Sequence, residues 1–163
     1  RVGGGPFPTE ALDAMGDHIR KRGNEFGAVT GRPRRCGWFD APLIRYTAAI
    51  NGFDSMVVTK LDVLDELDEI PVCVAYKIDG AETGEMPATC RELAKVQPVY
   101  KAMRGWKSST RGISDWKQLP LAAREYLAFL EKESGVEIGC ISTGPERNET
   151  IRRPGSKFEK LTV

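Results

Sequence analysis

Residues 57–70 read VVTKLDVLDELDEI. Val57 and Val58 are β-branched and suit a pleated, half-buried surface, yet the chain turns polar at Thr59-Lys60 and carboxylates follow at Asp62 and Asp65. An apolar strand over 55–59 that ends in a lysine and a carboxylate two positions apart has two meanings. Either the chain surfaces and Asp62 caps the next helix, or the charged pair is presented to a ligand. A second apolar run, VEIGCIS (136–142), ends in a similar way at Ser142-Thr143-Gly144. In open α/β sheets ligands bind beyond the carboxyl ends of strands, so both ends can face one ligand.

The flanking segments predict the rest of the frame. Thr9 is placed to cap a helix over 10–22, with Ala11, Leu12, Met15 and Ile19 as its apolar stripe. Residues 23–37 carry four Gly, one Pro and three Arg, which reads as an exposed, mobile loop. Asp40 and Pro42 open a helix over 41–52 that ends at Asn51-Gly52. A turn or short helix over 62–68 leads to the strand VCVAYK (72–77), followed by a polar loop around 80–87. A strand over 96–103 is weakened by Pro98, and the irregular stretch 105–118 is anchored by Trp106 and Trp116. Leu119-Pro120 starts a helix that runs to Ser134 on the stripe Leu121, Tyr126, Leu127 and Leu130, and Gly135 stops it. Helices alternating with short buried strands predict an α/β class, and 163 residues suffice for one domain.

Composition narrows the function. Apolar residues make up 40% and charged residues 29%, and 24 Lys+Arg against 23 Asp+Glu leave a net charge of +1. That balance excludes a chain-wide basic surface for nucleic acid. No apolar run approaches the roughly 20 residues of a membrane span, and nothing resembles a signal peptide. Cys36, Cys73, Cys90 and Cys140 form no CxxC pair, so the expectation is reduced thiols in a cytoplasmic protein, with neither a zinc site nor a disulfide framework. The opening Arg1-Val2-Gly3-Gly4-Gly5-Pro6 has no initiator Met, and the expectation is a piece of a longer protein.

Three stretches carry chemistry. An aspartate just past a strand can accept two parallel hydrogen bonds from the N1–H and exocyclic amine of guanine, donors that adenine does not offer on that edge. A buried carboxylate left without donors is costly, so such a site discriminates strongly. The stem of Lys60 can lie on the flat face of the base. Thr59-Lys60-Leu61-Asp62 thus resembles the N-K-x-D guanine reader of small GTPases, although a four-residue match is also met in ordinary strand ends. The second stretch is Gly27-Ala28-Val29-Thr30-Gly31-Arg32-Pro33-Arg34-Arg35, where glycines let the backbone approach a ligand and three guanidiniums suit a dianion. A solvated basic loop, or a contact to nucleic acid, is the alternative. The third is Ser142-Thr143-Gly144-Pro145-Glu146-Arg147, able to meet a base or sugar through backbone groups, or else an ordinary turn. His18, the only histidine, sits among polar helix positions and reads as solvent-facing rather than as a general base.

Taken together, RVGGGPFPTE (1–10), GAVTGRPRRCGWFD (27–40), TKLDVLD (59–65), CVAY (73–76), GW (105–106) with LP (119–120), and STGPERNETI (142–151) resemble the adenylosuccinate synthetase family. The stretches come in family order and span nearly the whole chain. The resemblance implies the C-terminal part of a P-loop-NTPase-like synthetase fold: one α/β segment over 1–163, a mixed sheet with flanking helices and long loops. It implies the ligation of IMP and L-aspartate to adenylosuccinate with GTP hydrolysed to GDP and phosphate. Ala28, Val29, Thr30, Gly31, Arg32, Pro33 and Arg34 match the aspartate-binding loop, with Arg32 also touching IMP and Arg34 reaching toward GTP. Lys60, Leu61 and Asp62, with Ser142, Thr143 and Gly144, match the guanine-contacting segments. Val29 stands where many relatives have a threonine, which puts one hydroxyl contact to aspartate in doubt. The family's phosphate loop, catalytic Asp and His and Mg²⁺ ligands are expected N-terminal to this segment. A cytoplasmic homodimer without nucleic-acid or membrane partners is expected for the whole enzyme, and the isolated segment is expected to be inactive. The rival class is a stand-alone module using the Arg-rich loop for an anionic ligand or nucleic acid.

Overall fold

The computed structural model describes residues 1–161. In chain order the elements are α1 (Ala14–Arg22), β1 (Phe39–Asp40), α2 (Ala41–Asn51), β2 (Met56–Val58), β3 (Glu69–Ile78), β4 (Ala81–Thr83), α3 (Cys90–Leu93), β5 (Gln97–Arg104), α4 (Leu121–Ser134), β6 (Ile138–Ser142), β7 (Thr150–Arg152) and α5 (Lys157–Leu161). Single 3₁₀ turns occupy Leu61–Leu64 and Trp116–Gln118. The α/β class is as expected, with two mixed sheets. The residues divide into two compact units, Arg1–Tyr46 with Pro71–Ala102, and Thr47–Ile70 with Met103–Val163.

In the first unit β3 is the central strand. It pairs with β1 in parallel, through Phe39 opposite Val72 and Asp40 opposite Cys73, and with β4 antiparallel; β5 pairs with it too. Val72, Cys73 and Tyr76 are fully buried, which is why VCVAYK reads as a near-continuous apolar run. The Tyr76 hydroxyl donates to Asp40 Oδ1 at 2.5 Å, and the same oxygen accepts the Leu43 N–H at 3.3 Å at the start of α2. Burial, followed by the adjacent Asp40 charge, pushes the Cys73 thiol up to about 12.

Helix α1 departs from expectation. It begins at Ala14, capped by Asp13, whose Oδ1 accepts the N–H groups of Met15 and Gly16. Thr9 is instead buried: its hydroxyl donates to the Trp38 carbonyl at 3.1 Å and its own carbonyl accepts the Trp38 N–H at 3.0 Å. The long-range bridge between Glu10 and Gly37 holds this segment extended, overriding the local capping preference. Leu12 and Met15 are consequently exposed; of the expected stripe, Ile19 on the helix and Ala11 before it reach the core. His18 is half-buried rather than solvent-facing.

In the second unit β2 and β6 run parallel, with Val57 opposite Cys140 and Val58 opposite Ile141, and β7 joins β6 antiparallel. Helix α4 buries Ala123, Tyr126, Leu127, Phe129 and Leu130, while Leu121, expected in the stripe, is largely exposed because it is the first helical residue. Gly135 ends the helix in the left-handed region, as its position after Ser134 predicts. Glu131 ties the helix to the next strand: its carboxylate accepts the Ile138 N–H at 2.7 Å and pairs with Arg153.

Candidate functional site

The parallel pairing of β2 and β6 brings their carboxyl ends side by side, so two segments far apart in sequence, 59–62 and 142–144, become neighbours. The Lys60 N–H donates to Ser142 Oγ at 2.9 Å and closes the gap between them. Lys60 adopts the left-handed backbone region at φ 58°, ψ 45°, a conformation costing roughly 1–2 kcal/mol for a residue with a Cβ. Such local strain concentrates at ligand sites, because surrounding structure must hold it in place.

From that bend the chain enters the 3₁₀ turn. Leu61 and Val63 point into the core, leaving Lys60 exposed and Asp62 half-buried. Asp62 does not occupy the N-cap position of this turn. Asp62 lies inside the turn, and the N-cap position belongs to Lys60, whose side chain makes no capping bond. A half-buried carboxylate beside an exposed lysine stem is suited to a flat heterocycle that offers two donors on one edge.

On the β6 side, Thr143 is fully buried. Its hydroxyl donates to the Ile113 carbonyl at 2.8 Å and approaches the Glu149 carbonyl at 3.2 Å, while its N–H donates to Glu149 at 2.9 Å. A Cβ at Gly144 would sit 2.2 Å from Glu149 Oε2, the far end of a flexible side chain that also accepts the Glu146 N–H at 2.9 Å.

The residue that sequence reasoning passes over is Asp65. It is 3% exposed, and it accepts the Trp106 indole N–H at 2.7 Å, the Thr110 hydroxyl at 2.7 Å and the Thr110 N–H at 2.8 Å. The available signal was the repeat of aspartate at 62 and 65 with a tryptophan and a threonine in the polar stretch 105–118. Charged groups inside a core need such partners.

The Arg-rich loop belongs to the first unit. A bridge between Phe26 and Pro33 closes its base, and the Gly27 N–H donates to the Arg32 carbonyl at 2.9 Å. Residues 28–35 are exposed, Val29 at 96%, whereas Glu25, Cys36 and Gly37 at its ends are buried. Two guanidiniums are engaged: Arg34 with Glu25 at 3.0 Å, and Arg35 with Glu10 at 2.8 Å. Arg32 has no carboxylate partner among the described residues. Its guanidinium is the one available to an incoming anion, and Thr30 Oγ1, 3.4 Å from the Arg32 N–H, steadies the tip.

Among the described residues no group of three or more His, Cys, Asp or Glu side chains could hold a metal ion. Likewise no helix is long and apolar enough to cross a membrane.

The family model described as adenylosuccinate synthetase matches residues 1–151. The chain is 68% identical over 161 residues to the adenylosuccinate synthetase of Solibacter usitatus, covering 99% of this chain and 37% of that protein. It is 59% identical over 151 residues to that of Koribacter versatilis, covering 93% and 34%. The fully ligated adenylosuccinate synthetase of Plasmodium falciparum superposes with a TM-score of 0.86 at 38% identity, covering 94% of this chain and 37% of that one. The chain thus spans little more than a third of the length of the relatives it matches. With strand-end geometry, motif order and family match in agreement, this chain belongs to the adenylosuccinate synthetase family.

Proposed function

We propose that this chain is the guanine- and aspartate-binding portion of an enzyme that joins IMP and L-aspartate into adenylosuccinate at the expense of GTP. In that reaction the 6-oxygen of IMP takes the γ-phosphoryl group of GTP, and the aspartate amine then displaces phosphate, leaving GDP. Phosphoryl transfer depends on positioning and charge stabilisation more than on covalent chemistry by the protein. Positioning is what these residues supply. Asp62 accepts the guanine N1–H and 2-amino group, and the Lys60 stem covers the face of the base. The backbone of Ser142, Thr143 and Gly144 lines its other edge.

Arg32 meets the carboxylates of aspartate and contacts IMP, with Ala28–Gly31 and Pro33 shaping the loop around them. Arg34, paired with Glu25 in this structure, is the loop's GTP-directed guanidinium. Val29, fully exposed, contributes no hydroxyl, so the aspartate contact at that position is made by backbone. The catalytic acid–base residues and the groups holding Mg²⁺ are supplied by residues other than those of this chain, within one α/β domain of a cytoplasmic homodimer that binds neither membrane nor nucleic acid.

The observation that carries this reading is the bond between Lys60 N–H and Ser142 Oγ, which assembles two base-contacting segments at adjacent ends of parallel strands. The test uses the full-length protein containing this segment, assayed for adenylosuccinate formation with GTP, ITP and ATP. Replacing Asp62 with Asn should abolish the preference for GTP. Retention of the wild-type preference would sink the assignment.

A further inference from the structure

Asp65 lies three residues beyond Asp62, at the end of the same 3₁₀ turn, and its N–H donates back to the Asp62 carbonyl at 3.3 Å. Four residues of 3₁₀ helix cannot hold a rigid orientation by themselves, since their hydrogen bonds are few and poorly aligned. What fixes the turn is at its two ends. At the start, Lys60 is bonded to Ser142. At the end, both carboxylate oxygens of Asp65 are taken by Trp106 and Thr110.

The chain of contacts continues past Thr110. The Ile113 N–H donates to the Thr110 carbonyl at 3.1 Å, and the Ile113 carbonyl accepts the Thr143 hydroxyl at 2.8 Å. Thr143 is covalently next to Ser142, which returns to Lys60. A closed ring results: Lys60 to Asp65 along the chain, across to Thr110 and Ile113, across to Thr143, and back through Ser142. Asp65, Thr110 and Thr143 are 3%, 0% and 0% exposed, so water does not compete for the bonds that Asp65 accepts, whereas the Lys60–Ser142 bond that closes the ring lies at the surface. Charge-assisted bonds of 2.7–2.8 Å in such surroundings are strong, and members of a shared network act as a unit.

We propose that Asp65 is a positioning residue for base selection: through Trp106, Thr110, Ile113 and Thr143 it sets the spacing between Lys60–Asp62 and Ser142–Gly144, and so sets guanine specificity without touching the nucleotide. A specificity carboxylate discriminates only when it cannot shift to suit another base, and sub-ångström support comes from the groups behind it. This inference rests on the reading of Asp62 as the guanine-selecting carboxylate.

The test is the ratio of kcat/KM for GTP over ITP in the full-length protein, for wild type, Asp62→Asn, Asp65→Asn, Thr110→Val and Thr110→Ser. Asp65→Asn keeps the size but sets an amide donor against the donors of Thr110. It should lower the ratio about ten-fold through the KM for GTP, with the KM values for IMP and aspartate held within about two-fold. Thr110→Val removes one hydroxyl and keeps the N–H, so it reads the same ratio if Asp65→Asn does not fold. Thr110→Ser retains both donors and should behave as wild type. If Asp62→Asn loses selectivity while the folded Asp65 and Thr110→Val proteins keep it and only melt earlier, the network is structural alone and this inference is overturned. If Asp62→Asn keeps wild-type selectivity, the base-reading assignment falls first and this one with it.

Discussion

The Arg-rich loop and the paired strand ends are both ligand-facing by composition, but they are built in opposite ways. The loop over 27–35 is tied at its base by a bridge, a few backbone bonds and the pairs Arg34–Glu25 and Arg35–Glu10, and its remaining side chains stand in solvent. The strand ends over 60–62 and 142–144 are backed by buried carboxylate, hydroxyl and indole groups that satisfy one another. On the proposed assignment, the difference follows from what each recognises. A dianion is bound by charge, and a guanidinium fork can find it from several directions. A base is distinguished by the place of two hydrogens, and that requires a fixed acceptor.

The largest effect expected is on the strand ends. Asp62→Asn in the full-length protein should lower GTP-over-ATP selectivity by at least ~100-fold while the KM for aspartate barely moves. A parallel loss in both would mean that the two regions are not separable. Next, Arg32→Leu should raise the KM for aspartate about 10- to 100-fold and leave base selectivity intact, because one bidentate donor is removed from an exposed loop. Loss of GTP selectivity in that variant would break the comparison from the other side.

Stability separates the regions as well. Gly105→Ala, beside the Trp106 that backs the strand ends, forces a methyl group to 1.9 Å from the Leu67 carbonyl oxygen, a backbone atom that cannot swing aside, and should cost about 2 kcal/mol by chemical denaturation. Gly31→Ala meets nothing within 4 Å, and only its positive φ of 65° opposes it, so about 1 kcal/mol is expected. Equal costs would show that the strand ends are no more tightly packed than the loop.

The smallest effect probes whether the unit carrying the loop has an equally dry core. The unfolded Cys73 thiol ionises near its ordinary value of about 8.5, whereas the folded one keeps its proton to about 12. Above pH 8.5 the unfolded state therefore binds fewer protons, and stability falls as pH rises. By pH 9 the loss should be about 0.8 kcal/mol, and Cys73→Ala should remove that part of the slope. An unchanged slope would mean that the thiol is not sealed. Exposed Cys90 should meanwhile react with a thiol reagent long before buried Cys36, Cys73 and Cys140.

Much of the frame was legible from local pattern. The apolar run Ile138–Ile141 and the stripe Tyr126, Leu127, Leu130 appear as a strand and a helix because their side-chain periods are written in adjacent residues. Thr9 misled because an N-cap residue and a strand-bridge residue look alike until the partner, Trp38, is known. The short strands β1, β4 and β7 escaped notice for a related reason. Two or three residues carry no period, and only their pairing makes them strands.

The same division holds at the site. The sequence by itself determined which residue types stand at the strand ends and in the loop, and so which ligand chemistry each can meet: a donor-bearing base edge for Asp62, an anion for Arg32. Charge and hydrogen-bonding capacity belong to the residue and need no fold. Tertiary structure alone decided that positions 60 and 142 touch, that Arg34 and Arg35 are engaged while Arg32 is available, and that Asp65 is held by Trp106 and Thr110. Those facts depend on parallel pairing between positions 82 apart in sequence and on burial, neither of which any local stretch of chain encodes.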